Sequence, residues 1–492
     1  MITKLQKFEQ KYGTLLPYAL AIVFFVVNWI VFTAKDLSHD EPWSVLQAMK
    51  SSLSDTLSGL WGENPGVLFE VLLHYWIKIG GIGLEWMRIL PLIFSAIGVY
   101  FLYKIVYRFN GLLAGLIAVS MYAFSTSMHY YGFELRCYSL YAMLVLASVW
   151  FLLQFLNEQN TRKKTNFYFW IWGVSNLCLV YTHWFSWFFV GIQLFLVFLY
   201  YKPLRKKVVL SFAFLMLGFL PATIRLFSWF IKLASEGTFL EPPRWNDFFG
   251  TLSFFFNSTR GFAMIALFIC VVALFLAMKK KEKKFQILCL NIGIPFALMF
   301  LISFKYPMWV PRYVIFAGVG FIQIYVISLF KIYDILKTLR MKIIWVIFAI
   351  GLTGIYFASF TADHRRFPIF FDHSGAVEFI RKHEQKPFVF ATTNWDGGIV
   401  YTYHRPLFEN INSSIVGEYD NFHFFLLWSD EHLQAIRELN LNQVIVFGNR
   451  FFDEDIKPLL DSLAKDLPYQ KTKFFAPHNH VKIFQKNEFS QP

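Results

Sequence analysis

Residues 162 to 207 read RKKTNFYFWIWGVSNLCLVYTHWFSWFFVGIQLFLVFLYYKPLRKK. Between the basic clusters Arg162-Lys163-Lys164 and Lys202 to Lys207, the run from Asn166 to Tyr201 carries no Asp, Glu, Lys or Arg. It is too long for one membrane helix, which needs about 20 apolar residues, and its polar break falls at Tyr181-Thr182-His183. Two spans joined by a short turn follow. Both basic clusters then lie on one side of the bilayer, the cytoplasmic side by the positive-inside rule, and the turn faces outside.

The same arithmetic works outward in both directions. Basic loops recur at Lys4/Lys7/Lys11, Arg108, Lys279 to Lys284 and Lys331 to Lys342, and two spans separate each consecutive pair. The spans run approximately from 14 to 33, 86 to 107, 111 to 128, 137 to 156, 166 to 183, 184 to 201, 208 to 230, 260 to 278, 285 to 304, 310 to 330 and 343 to 361, roughly eleven in all. An odd total places everything after residue 361 outside. Leu15 to Phe32 lacks a small-residue cleavage site and is read as an uncleaved anchor. Asn64 to Gly81 is apolar but would break the alternation if it crossed. Its Glu70, His74 and Lys78 recur at i, i+4 and i+8, a polar stripe suited to a helix lying in the interface. With the amphipathic stretch Trp43 to Leu60 it makes a first external loop, residues 34–85, carrying two juxtamembrane helices.

Composition agrees. A chain of 492 residues that is 56% hydrophobic, 20% aromatic and only 16% charged belongs to the polytopic membrane class. The formal charge of +14 sits in short loops flanking apolar spans, so topology accounts for it and nucleic acid is not expected as a partner. Cys137, Cys178, Cys270 and Cys289 lie in or beside spans without CxxC spacing, which indicates packing rather than a zinc site or a disulfide framework. The chain divides into a multi-span part, 1–361, and a soluble extracytoplasmic α/β domain, 362–492. In the latter, strand-like runs at Pro387 to Thr392, Gln443 to Gly448 and Val481 to Gln485 alternate with helix-like stretches at Ser374 to His383, Asp430 to Leu439 and Asp455 to Lys465.

The external loops hold the chemistry. Asp40-Glu41 directly follows the first span; such a pair is either solvated charge or a site. In an extended segment its two side chains would point to opposite sides. The loop between the third and fourth spans carries His129-Tyr130-Tyr131-Gly132-Phe133-Glu134-Leu135-Arg136, at an apolar interface where ions are costly unless partnered. Glu134 and Arg136 form either an internal pair that orders the turn or part of a site.

These clusters, with Asn64-Pro65-Gly66-Val67, Glu134-Leu135-Arg136-Cys137-Tyr138, Tyr181-Thr182-His183 and Arg312-Tyr313, occur in an order that resembles the C-superfamily (GT-C) glycosyltransferases using lipid-linked sugars. The bacterial members akin to protein O-mannosyltransferases and the aminoarabinose transferases of lipid A are the nearest in pattern. The resemblance covers about residues 14 to 330; Gly66-Val67 stands where that family usually has Pro-Leu. It implies a polytopic α-helical GT-C fold with a C-terminal extracytoplasmic α/β domain, in a bacterial inner membrane, with the active site outside. It also implies an inverting transfer from a polyprenyl-phosphate sugar to the hydroxyl of a lipid, glycan or protein acceptor. By the same resemblance Asp40 is the general base, Arg136 a phosphate ligand and Arg312 a second phosphate contact. Glu41 and Glu134 orient acceptor or sugar, and Tyr138, His183 and Tyr313 line the donor site.

The residue types suit that chemistry, since a carboxylate can take a hydroxyl proton and arginine presents a fixed fork of donors to phosphate. His183 is either a substrate ligand or a locally bonded turn residue. Arg225, within the seventh span, requires a partner or a phosphate. Arg244, Trp245 and Arg260 flank the next external loop as a candidate donor entrance. Asn257-Ser258-Thr259 and Asn412-Ser413-Ser414 fit the N-glycosylation pattern. Asp40, Glu41 and Glu134 offer hard oxygen ligands, but no divalent metal or other cofactor is expected. The rival class is a transporter or flippase with an exported domain, which would place ionisable groups near the bilayer midplane rather than in outer loops.

Overall fold

A computed structural model describes residues 13–32, 36–38, 40–57, 66–157, 159–236, 240–257, 259–366, 372–392, 397–404, 408, 417–419, 422–427, 429–449, 453–475 and 479–486. The chain packs as two units, one made of residues 1–33 and 50–365, the other of 34–49 and 366–492. The segment that follows the first span therefore packs with the C-terminal residues.

The first unit is helical. In order it contains α1 (Leu16–Phe32), and the described helices of this unit continue after α2 (Glu41–Ala48), which belongs to the second unit. They are α3 (Leu68–Gly80), α4 (Leu84–Ala123), α5 (Thr126–Tyr131), α6 (Tyr138–Phe155), α7 (Arg162–Thr182), α8 (Ser186–Tyr200) and α9 (Arg205–Glu236). Then come α10 (Trp245–Phe255), α11 (Arg260–Lys279), α12 (Lys283–Ser303), α13 (Ile315–Ile335) and α14 (Leu339–Arg366). Every expected span falls on a helix. Among the described residues, 7 helices are long and apolar enough to cross a membrane, and the protein is an integral multi-pass membrane protein. Helix α4 holds two of the expected spans. It breaks at Asn110-Gly111, where Gly111 takes φ 77°, a backbone state that glycine reaches without a Cβ penalty.

Burial sorts the helices by neighbour. Along α13 nearly every side chain from Ile315 to Leu329 is buried, whereas α14 exposes Ile343, Ile347, Ile350 and Ile355. An apolar face of that kind is solvated by lipid tails, so interhelical polar contacts and close packing carry the association. Ser148 of α6 donates to Asn176 Oδ1 of α7 at 2.6 Å, and Trp172 Nε1 donates to Gln193 Oε1 of α8 at 2.6 Å. At one end, α3 is clasped to α4 by Trp76 and Trp86. Their rings stack 4.5 Å apart, and each indole N–H donates to the other residue's carbonyl, at 2.8 and 2.9 Å.

The polar stripe on α3 faces differently from the interfacial expectation. Glu70 and His74 are buried and only Lys78 is exposed. The physical reason lies at the helix start: Val67 N–H donates to the Tyr181 carbonyl at 2.9 Å, which turns this side of α3 toward the α7–α8 turn. A Cβ on Gly66 would stand 2.1 Å from the Thr182 carbonyl oxygen, so glycine permits this approach. Asn64 and Pro65 lie outside the described residues.

The second unit contains α2, α15 (His373–His383), β1 (Phe388–Thr392), α16 (Gly397–Tyr403), β2 (Gly417–Tyr419), β3 (Phe422–Leu426), α17 (Asp430–Glu438), β4 (Gln443–Asn449), α18 (Asp453–Asp466), β5 (Tyr469–Phe475) and β6 (Asn479–Gln485). Its six-stranded mixed sheet runs β2-β3-β1-β4-β6-β5. Strand β1 is parallel to β3 and β4, with Val389 opposite His423 and Val444; the outer pairs are antiparallel. Val389, Ala391, Val444 and Val446 pack with Leu433 and Ile436 of α17 and Leu460 and Leu463 of α18. The three strands and three helices expected from sequence are present. Strands β2, β3 and β5 and helix α16 are additions.

Candidate active site

The loop after α5 is held from behind by its backbone. Ser95 Oγ donates to the Gly132 carbonyl and Arg88 Nη1 to that of Phe133, both at 2.8 Å, and Arg88 is itself buried in α4. Phe133 and Leu135 are buried, while the residues between and after them, Glu134 and Arg136, are only half-buried. Alternation thus separates the anchoring residues from the charged ones. Upstream, Asn257 closes the start of α5: its Oδ1 accepts from Thr126 N–H at 2.7 Å and its Nδ2 donates to the Phe124 carbonyl. Asn257 is fully buried, so the glycosylation pattern there marks a structural residue rather than an accessible acceptor. Asn412 lies outside the described residues.

Three segments distant in sequence meet beside this loop. His183, in the turn outside both α7 and α8, stacks on Tyr141 of α6 with centroids 5.1 Å apart and planes at 3°. Tyr313, from the turn that precedes α13, lies 5.4 Å from His183 and 5.5 Å from Phe185, and the Arg312 guanidinium sits 5.5 Å from the Tyr313 ring. Burial, then the charges of Arg136 and Arg312, push the His183 pKa down to about 3, so the imidazole is neutral in the physiological range. Glu70, Arg136 and Arg312 also act together on the Cys137 thiol. His183, Tyr313 and Arg312 are thus neighbours, and the charges of Arg136, Arg312 and Glu134 are all felt at Tyr138. Tyr138 is buried, 5.2 Å from Tyr131, and contributes as packing beneath the loop.

Arg260 is not seen in this company. It is exposed at the start of α11 and donates to Asn246 Oδ1 at 3.3 Å. Arg244 begins α10, where its N–H donates to Asp247 Oδ2 at 2.7 Å, and the exposed Trp245 packs 5.4 Å from both Phe300 and Phe304. The Arg225 side chain lies outside the described ones.

The acid pair occupies the other unit. Asp40 and Glu41 begin helix α2 rather than an extended segment, so successive side chains diverge by about 100° instead of alternating. Glu41 is 1% exposed, and its Oε2 accepts from Ser38 N–H at 2.5 Å; Asp40 is half-buried and makes no capping bond of its own. Nearby, Asp36 accepts from the Ser374 N–H and hydroxyl, each at 2.7 Å, tying the segment to the start of α15. Among the described residues no group of three His, Cys, Asp or Glu side chains is placed to hold a metal ion.

Tyr141, beneath His183, stands in no motif of the sequence, and the spacing of Glu70 and His74 fits a buried polar face as well as an interfacial one.

No protein-family model matches the chain, and no curated protein does. Solved structures do. ArnT from Cupriavidus metallidurans in the apo state is similar with a TM-score of 0.59 at 9% identity, over 96% of this chain and 98% of that one. ArnT bound to undecaprenyl phosphate gives 0.56 at 9% identity, over 98% and 99%. Archaeoglobus fulgidus AglB, in complex with an inhibitory peptide and a dolichol-phosphate, gives 0.54 at 10% identity, over 98% of this chain and 75% of that one. At such identities the likeness speaks for architecture: this is a polytopic helical membrane protein with a C-terminal mixed α/β sheet and a GT-C-like fold.

Proposed function

We propose that the protein is an inverting glycosyltransferase that moves a sugar from a polyprenyl-phosphate donor to an acceptor hydroxyl at the external face of the membrane. The observation that carries this reading is the turn in which half-buried, neutral His183 packs against Tyr141 and Tyr313, with the Arg312 guanidinium beside Tyr313 and the charges of Arg136 and Arg312 both acting on the imidazole. Two guanidiniums in partly dehydrated surroundings suit a phosphate that gains charge as the sugar leaves. The similar ArnT and AglB structures hold undecaprenyl phosphate and a dolichol-phosphate, which supports the same class of lipid here.

In this reading Asp40 takes the acceptor hydroxyl proton as the acceptor oxygen attacks the anomeric carbon from the face opposite the phosphate. The bond from that carbon to the phosphate oxygen breaks, and its electron pair departs on the lipid phosphate beside Arg136 and Arg312. One displacement inverts the anomeric configuration. Neutral His183 and Tyr313 shape the donor side, while Glu41, fixed on Ser38, holds the segment that presents Asp40. Arg244, Trp245 and Arg260 would flank the donor's approach.

The experiment is mass spectrometry of lipids that copurify with the full chain, followed by incubation with candidate acceptors. Polyprenyl-phosphate sugars that are consumed, with polyprenyl phosphate formed in equal amount, are expected. A copurifying lipid fraction devoid of polyprenyl phosphates, together with no turnover of added donors, would contradict the reading.

A further inference from the structure

At the end of α7 away from the His183 turn, the starts of α7 and α9 lie together. Lys207 Nζ donates to Asn166 Oδ1 at 2.9 Å and sits 5.5 Å from the Phe155 ring and 5.6 Å from that of Phe169. Seven cations gather here, Arg162-Lys163-Lys164 on α7 and Lys202, Arg205, Lys206 and Lys207 on or just before α9. Glu158 stands ahead of them; after it the sequence has no Asp or Glu until Glu236. The other loops with several cations carry an acid in their midst: Glu9 beside Lys7 and Lys11, Asp334 beside Lys337, and Glu282, which pairs with Lys331. Arg205 is spent locally, donating to the Phe198 carbonyl at 3.1 Å, but Arg162, Lys163, Lys164, Lys202 and Lys206 are exposed. Like charges crowded in this way repel unless an anion from outside the chain answers them.

An apolar seam continues from the cations. Phe167, Trp170 and Val174 are exposed along α7 at i, i+3 and i+7, and Val209 and Leu210 are exposed on α9. Trp170 meets Phe214 of α9 with ring centroids 5.9 Å apart. Further along, a Cβ on Gly218 would stand 2.9 Å from Leu177, so glycine lets the two helices close on each other.

We propose that the starts of α7 and α9 bind an anionic phospholipid, with its phosphate against Lys163, Lys164 and Lys206 and its acyl chains along the seam past Trp170. A zwitterionic headgroup brings its own ammonium to this surface and gains little, whereas a headgroup with net negative charge relieves the repulsion between the two helix starts. The bound lipid thereby pins α7 to α9. The site lies at the opposite end of α7 from the proposed transfer chemistry, and it involves neither donor nor acceptor.

The test is native mass spectrometry of the detergent-solubilised full chain titrated with dioleoyl phosphatidylglycerol or dioleoyl phosphatidylcholine, which share their acyl chains. The unmodified protein is expected to bind the phosphatidylglycerol about tenfold more tightly. The triple variant Lys163→Gln, Lys164→Gln, Lys206→Gln is expected to lose that preference. Lys279→Gln, Lys280→Gln, Lys281→Gln removes the same charge from the loop that holds Glu282, and it should change the preference by less than about twofold. If the first triple variant does not fold, Lys206→Gln alone decides, with an expected loss of about three- to fivefold against an unchanged Lys280→Gln. Equal binding of the two lipids by the unmodified protein would overturn the proposal. So would equal losses in the two triple variants, which would reveal attraction to net charge rather than a site. Displacement of the lipid by an equal concentration of glycerol phosphate would overturn it as well, by making free phosphate the ligand.

Discussion

The loop at Glu134-Leu135-Arg136 and the segment at Asp40-Glu41 each present two ionisable groups within a few residues, and they settle them in opposite ways. In the first, Leu135 is buried between the two charged residues, both of which remain half-buried beside Arg312 and His183. In the second, the two acids are adjacent at a helix start, and one is spent on structure: Glu41 is sealed against Ser38 while Asp40 keeps its carboxylate uncommitted to the helix cap. Spacing decides how many charges a motif can leave for chemistry. Two residues apart, Glu134 and Arg136 both stay half-buried; adjacent, Asp40 stays half-buried and Glu41 does not.

Asp40→Asn attacks that division where the largest effect is expected. It should reduce turnover by about 10²- to 10⁴-fold while donor affinity stays within experimental error, measured as single-turnover rate and binding in the same preparation. Arg136→Lys comes next: it preserves charge but loses the paired fork, and donor affinity should fall by about tenfold with little effect on acceptor use. If the order is reversed, with Asp40 controlling donor affinity, the two regions do not divide the work as described.

Glu41→Gln sharpens the contrast on the structural side. The amide can still accept from Ser38 N–H, but a charge-assisted bond becomes a neutral one, and the expected cost is about 1 kcal/mol in thermal or chemical unfolding, with turnover reduced far less than in Asp40→Asn. Gly66→Ala probes the cluster's frame. The new Cβ would collide with the Thr182 carbonyl, costing about 1–3 kcal/mol and displacing the His183 turn, which donor affinity would register.

The architecture was largely legible because its signals are long. The run from Asn166 to Tyr201 and the basic clusters around it set a rule that recovers helices at every expected span, and the apolar strands β1, β4 and β6 announce themselves the same way. Shorter signals were lost. Strand β5 interrupts its apolar pattern with Lys471 and Lys473 on an edge, and β2 has only three residues, too few to show a period. Arg136, His183 and Arg312 stand in short motifs of the sequence, whereas Tyr141, which stacks on His183, does not. A stripe at i, i+4 and i+8 states that one helix face is polar without saying whether that face meets water or folds inward, as it does at Glu70 and His74. Nor does adjacency in sequence reveal that Glu41 turns back to Ser38, which depends on α2 beginning at that point rather than on an extended strand.

The smallest effect concerns His183. Its folded pKa, about 3, lies below the ordinary histidine value of 6.5, so between these values the unfolded chain binds a proton that the folded one does not. Its contribution to stability is complete above about pH 6.5 and declines as pH falls toward 3. His183→Gln should therefore flatten the fall of the unfolding midpoint between pH 6.5 and 5 relative to the unmodified protein. An unaltered pH dependence would mean that His183 is solvated and outside the arginine cluster.

The central claim, that Asp40 drives transfer from a lipid phosphate held by Arg136, is tested most directly by comparing the lipids retained by three purified forms. The Asp40→Asn protein should retain polyprenyl-phosphate sugar, the unmodified protein should release it as polyprenyl phosphate when acceptor is supplied, and Arg136→Ala should retain neither. Donor consumption by Asp40→Asn at the unmodified rate, or full retention of the donor by a folded Arg136→Ala protein, would contradict it.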